Sequence, residues 1–189
     1  MKHLIILLMT IPLILLLLVS CNQEKRDTQG EETISMYEKF VNQSMNSALN
    51  GSIKKVKITY SKSTEYGIIS HVITSMESDK SYESILLIKE NKNVFEIVDD
   101  AHNIIDKTTP FTHLEMTGVI KDGAYHIVSG VINDKNIDKV EISFLNGLLI
   151  ETHKSNENTY EYVNINNTND SGIQSIKALS SSGDIVYQY

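Results

Sequence analysis

The sequence predicts a mostly β protein: an α+β N-terminal unit with one helix on an antiparallel sheet, then a small β-sandwich. Three observations carry this. Apolar residues recur at helical spacing in a single stretch, Ile34 to Ala48. Beyond Gly51 the apolar period becomes two and stays so to Tyr189. Clusters of Gly, Asn, Asp and Ser interrupt that alternation roughly every ten residues, as in a chain that folds back on itself.

The helix comes first. Ile34, Tyr37, Val41, Met45 and Ala48 lie three or four residues apart and form one stripe. Ser35 and Glu38 have capping-box spacing, which places the start near Ser35. Asn50-Gly51 supplies the stop, because Gly tolerates the left-handed conformation that ends helices.

Strands follow. In "KVKITY", Val56, Ile58 and Tyr60 alternate with Lys55, Lys57 and Thr59. "YGIISHVITSM" (Tyr66 to Met76) and "ESILLIKE" (Glu83 to Glu90) continue the sheet. Glu90 to Asn93 reads as a turn, and "NVFEIVDD" as the returning strand of a hairpin. Residues 31–109 make this unit. The boundary falls at Lys107-Thr108-Thr109-Pro110, since the residue before a proline is pushed to extended geometry.

Residues 110–189 read as strand throughout: "THLEMTGVI", "AYHIVSGVI", "DKVEISFL", "LLIETHK", "TYEYVNIN", "IQSIKAL" and "DIVYQY". Lys121-Asp122-Gly123 and "NDKN" separate the first three, and Asn146-Gly147 predicts a type I′ hairpin. Seven short strands with regular turns suggest a sandwich or barrel. The tail "IKALSSSGDIVYQY" resembles the closing hairpin of secreted bacterial immunoglobulin-like modules, which implies an immunoglobulin-like sandwich and no particular activity.

The first thirty residues concern address. Met1-Lys2-His3 precedes Leu4 to Val19, which carries no charge. As a helix that run spans roughly 24 Å, short of the ~30 Å hydrocarbon core of a bilayer, and Pro12 interrupts it. An export signal fits better than a permanent span. It ends at Cys21, the single cysteine of the chain, so no intramolecular disulfide is available. Leu18-Val19-Ser20-Cys21 resembles the lipobox of bacterial lipoproteins. That resemblance implies cleavage between Ser20 and Cys21 and a diacylglyceryl thioether on the Cys21 sulfur. It implies residues 1–20 as signal peptide and a lipid anchor on the extracytoplasmic face of the cell membrane. Asn22 to Gly30 is polar and charged, so 21–30 reads as a flexible tether.

Composition is otherwise globular, with 41% apolar residues and two prolines. The net charge of −7 argues against nucleic acid or anionic lipid as a partner of the body.

Candidate chemistry is sparse. His71, His102, His113, His126 and His153 show no i, i+4 pair and no cysteine partner, so strand histidines are expected rather than metal ligands. Asp99, Asp100 and His102 within "VDDAHN" offer donors for a divalent ion, yet the cluster reads as a strand-ending turn. Asn164, Asn166, Asn167, Asn169 and Asp170 lack the Gly and terminal Glu of an EF-hand and read as a loop. There is no Gly-x-Ser-x-Gly elbow and no Gly-rich phosphate loop. No catalytic residue, metal or cofactor is therefore expected.

Nine tyrosines against no tryptophan is the remaining oddity. Alternation places Tyr160 with Tyr162 on one strand face, and Tyr187 with Tyr189 on another. Tyrosine is a good strand former. Exposed, these four would form an aromatic ladder for stacking on glycan or docking a protein. The expectation is a lipid-anchored, non-enzymatic binding module at the cell envelope, with an envelope protein or glycan as partner. A small-ligand or metal-binding lipoprotein serving a transporter is the alternative, and a hydrolase built from scattered histidines ranks last.

Overall fold

The computed structural model describes residues 33–92, 94–120, 123–165 and 172–189. The predicted signal peptide, tether, Ser20 and Cys21 lie outside the described residues, as do Asn93, Lys121, Asp122 and residues 166–171. The protein is mostly β, with one helix and eleven strands among the described residues.

Helix α1 covers 33–48 and already runs at Thr33, ahead of the predicted Ser35 start. Its buried positions are Val41 and Met45, followed by Leu49 just past its end. Ile34 is 60% exposed and Ala48 is exposed as well, so the buried stripe is narrower than expected and steps by four.

Four strands then form an antiparallel meander in chain order: β1 (Ile53–Thr64), β2 (Gly67–Met76), β3 (Ser81–Asn91) and β4 (Val94–Ile104). β4 is longer than predicted. The "VDDAHN" residues expected to turn are paired with β3, His102 opposite Ser84 and Asp99 opposite Leu87. The Asp99 carboxylate does accept the Asp100 amide, the local bond that would stop a strand. Here it coincides with a register shift that leaves Val98 as the extra residue of a bulge, and pairing resumes beyond it.

Residues 105–110 are stitched down rather than loose. Asp106 accepts from the Thr108 amide and hydroxyl, which holds its carboxyl below the usual range. The Asn133 amide donates to the carbonyls of Asp106 and Thr109.

Seven further strands follow: β5 (Leu114–Ile120), β6 (Gly123–Val131), β7 (Lys139–Phe144), β8 (Leu149–His153), β9 (Thr159–Ile165), β10 (Ile173–Leu179) and β11 (Ile185–Gln188). They make two sheets, ordered β5-β6-β9 and β11-β10-β7-β8. Counted within the sandwich, strands one, two and five face strands seven, six, three and four. That is an immunoglobulin-like arrangement in which the fourth strand pairs with the third instead of the fifth. The β7–β8 turn differs from the predicted type I′. Gly147 has φ 85° while Asn146 is not in the left-handed region. Gly147 N–H bonds the Phe144 carbonyl and Phe144 N–H the Leu148 carbonyl, the pattern of a three-residue loop with a Gly bulge.

The core has two parts with β5-β6-β9 between them. On one side Phe111, Val128, Ile142, Phe144, Tyr160 and Ile176 fill the sandwich. On the other, Leu114, Met116, Tyr125 and Ile127 meet Ile69, Ile85 and Leu87 of the first sheet. The predicted boundary near residue 109 therefore falls in a loop that apolar contacts bridge, and residues 44–189 form one compact unit. β6 is buried on both faces over six successive residues, Tyr125 to Gly130. Near-continuous burial of this kind is what a strand in a middle layer requires.

Candidate functional site

The apolar interior becomes polar where β2, β3 and β9 approach one another. Alternation along β3 puts Glu83 on the same face as Ile85 and Leu87, and along β9 puts Glu161 with Val163 and Ile165. His71 of β2 lies between them. Its Nε2 is 3.9 Å from the Glu83 carboxylate and its Nδ1 3.4 Å from that of Glu161. Nδ1 is also 2.9 Å from the Thr59 hydroxyl of β1. His71 is 2% and Glu83 0% exposed. Burial alone would push His71 toward its neutral form, but the two glutamates outweigh it and its pKa is raised.

Thr112 joins this cluster to the surface. Its hydroxyl donates to Glu83 at 2.8 Å and accepts the Val131 amide at 2.8 Å. Its carbonyl accepts the Tyr160 hydroxyl. Gly130 makes that close approach possible, since a Cβ there would sit 2.1 Å from the Thr112 oxygen and 2.5 Å from the Tyr160 ring.

Aromatic rings flank Thr112 in the chain. Phe111 stands edge-on to Tyr160 with ring centroids 6.0 Å apart, and edge-on to Tyr187 at 5.6 Å. The His113 ring is 5.7 Å from that of Tyr189. Burial lowers the pKa of His113, although Glu115 and Glu83 pull the other way. The result is a rim built on residues 111–113, with Tyr187 37% and Tyr189 71% exposed at its outer side.

Three of the four tyrosines singled out in the sequence thus gather at one place, but not as an exposed ladder. Tyr160 is fully buried in the sandwich, which lifts the pKa of its phenol well above the ordinary value. Tyr162 is half-buried beside Phe144 and His126, away from the rim. The inward face of a sandwich strand must be apolar, and a strand face that starts with Tyr160 goes there together with Tyr162.

The remaining histidines scatter. His126 contacts Glu115 at 2.7 Å on the sandwich side of β6. His102 bonds Ser84 at 2.7 Å and pairs with Asp100 on edge strand β4. His153 sits on β8 near Glu151. Among the described residues no group of three His, Cys, Asp or Glu side chains is arranged to hold a metal ion. Asn164, predicted in a loop, lies in β9, and the other residues of that predicted loop, Asn166, Asn167, Asn169 and Asp170, lie outside the described residues.

Two shallow clefts, of about 240 and 410 Å³, lie at the hairpin tips around Gly67 and Lys89–Glu96. No histidine lines either of them. Lys89 is six residues along β3 from Glu83, about 20 Å at ~3.3 Å per residue. The clefts and the polar cluster are therefore separate places.

No family model, curated protein or solved structure matches this chain. Among the described residues no helix is long and apolar enough to cross a membrane.

Proposed function

We propose that this chain is a membrane-anchored, extracytoplasmic lipoprotein whose β-rich body is a binding module without catalysis of its own. The support for the anchor is Leu18-Val19-Ser20-Cys21 at the end of an uncharged apolar run. The support for binding is one observation. Tyr187 and Tyr189 present accessible rings against Phe111 and His113 of the 111–113 segment, whose other contacts fix it to the core. A rigid backbone carrying exposed tyrosines suits recognition, because the rings bring area and a hydroxyl at low entropic penalty. The net charge of −7 disfavours polyanions, so the partner is an uncharged envelope glycan or an envelope protein.

The test is recovery of partners from cells that display the lipidated protein. The wild type should enrich a wall fragment or envelope protein over a Cys21→Ala control, and Tyr187→Ala with Tyr189→Ala should abolish that enrichment. Equal recovery with and without the two rings would refute the rim as the binding surface.

A further inference from the structure

We propose that His71, Glu83 and Glu161 form a pH-sensitive latch that holds the first sheet against the sandwich and lets go when the imidazole loses its proton.

The geometry has three parts. Glu83 belongs to the β1-β2-β3-β4 sheet and Glu161 to the facing β5-β6-β9 sheet, so the cluster bridges two layers. His71 is the ion-pair partner of both carboxylates. Among the described residues, the groups that meet His71 or its two carboxylates include no lysine or arginine as a substitute cation. β1 supplies the Thr59 hydroxyl and Tyr60, β9 supplies Tyr160, and the segment before β5 supplies Thr112 and His113. His113 is held toward its neutral form by burial, and the nearby Glu115 has its own partner in His126. When His71 is neutral, two carboxylates confront each other across the interface with nothing between them to offset their repulsion.

The cluster is a poor device for stability alone. Glu83 Oε1, Glu161 Oε1 and His71 Nε2 are buried without a hydrogen-bond partner. Buried ion clusters with unmet hydrogen bonds are often matched or bettered by apolar residues of the same volume. What leucines could not supply is dependence on a proton. The sign is fixed by the direction of the shift. A histidine whose folded-state pKa is raised contributes its full share below the unfolded value of about 6.5. That share is lost as pH climbs through the folded-state value. Release is on the alkaline side. It reaches the surface through Thr112, which holds Glu83 with its hydroxyl, Tyr160 with its carbonyl, and the rim through its two neighbours.

The experiment uses the full chain in detergent micelles between pH 5.5 and 9, with histidine rings labelled for NMR. His71, assigned by its loss in His71→Gln, should titrate above the ordinary histidine value. Glu161→Gln should move that midpoint downward. Across the window the folding constant of the wild type should fall by up to tenfold per pH unit relative to His71→Gln, the limit for one proton. The Val131 amide, which depends on Thr112, should exchange faster in step. Should His71→Gln fail to fold, the wild-type titration and its Glu161→Gln shift still decide. A His71 midpoint at or below the ordinary value, or parallel pH profiles for wild type and His71→Gln, would overturn the latch.

Discussion

The Tyr160 hydroxyl donates to the Thr112 carbonyl at 3.0 Å across 48 positions of sequence, through a gap that only Gly130 leaves open. Two substitutions test how much rests there. Tyr160→Phe keeps the ring and orphans a buried carbonyl, which should reduce stability by about 1–2 kcal/mol in urea unfolding. Gly130→Ala forces a methyl against both partners, backbone oxygen included, and should lose more, about 3 kcal/mol. An unchanged midpoint for Gly130→Ala would mean the approach is looser than described.

Thr112→Val removes a hydroxyl of nearly the same shape. The buried Glu83 oxygen loses its donor and the partly buried Val131 amide its acceptor. A loss of about 2–4 kcal/mol is expected, larger than for a typical buried threonine, because one of the orphaned groups carries charge. The measurement is equilibrium denaturation at neutral pH, with Thr159→Val as the comparison, a buried threonine whose hydroxyl bonds the neutral Ser155 hydroxyl. Equal losses in the two would sink the claim that Thr112 ties Glu83 down.

Much of this fold was legible because alternation shows in strands such as β4, β5 and β7. "KVKITY" and "TYEYVNIN" each lie within or against an observed strand. Turn chemistry was readable in place but not in type. Asn146-Gly147 marks the right turn, yet the loop contains one residue more than a type I′ hairpin allows, and only Gly147 takes the positive φ. "VDDAHN" misled because its local bond, from the Asp100 amide to the Asp99 carboxylate, is absorbed in a bulge, while side-chain partners hold the strand in place beyond it. Tyr125 donates to Asp99, and Ser84 meets His102. The shared core had a weaker signal: Ile127-Val128 in β6 puts an apolar residue on each face in turn, with the small Ser129 and Gly130 after them, as suits a strand covered on both faces. Glu83 and Glu161 had one too. Each carboxylate stands in phase with apolar residues two and four positions on, buried after Glu83 and half-buried after Glu161, and a charge on the core side of a strand needs a partner.

At the rim, binding and stability should separate. Tyr189 is 71% exposed, so Tyr189→Ala should leave the melting temperature nearly unchanged. Tyr187→Ala gives up an edge-on contact with Phe111 and should lose about 0.5–1.5 kcal/mol. Partner recovery should fall in both. If it falls only as stability falls, the rings serve the fold and not a ligand.

For the anchor, mass spectrometry of native material should find Cys21 as the first residue, carrying a diacylglyceryl thioether, with residues 1–20 gone. Two acyl chains or more are needed for stable retention, since one gives only marginal binding. Cys21→Ala should therefore keep the leader and lose the lipid mass. A bare thiol on Cys21 in membrane-associated wild type would remove the lipoprotein reading.

Alkaline titration of the phenols checks the interior independently. Tyr60, Tyr125 and Tyr160 all have raised pKa values, in each case first through burial. For Tyr125 the hydrogen bond to Asp99 adds to it, and for Tyr60 and Tyr160 nearby glutamates do. A folded pKa above the unfolded one means stability that is intact below pH ~10 and lost as pH rises beyond it. Ultraviolet absorbance should show these three phenols ionising late, Tyr125 and Tyr160 together with loss of near-ultraviolet circular dichroism, because a phenolate in those two buried sites requires the sheets to part. Asp99→Asn should let Tyr125 ionise earlier while Tyr160 keeps its delay. All nine tyrosines titrating as one class before any unfolding would contradict the burial on which both core clusters depend.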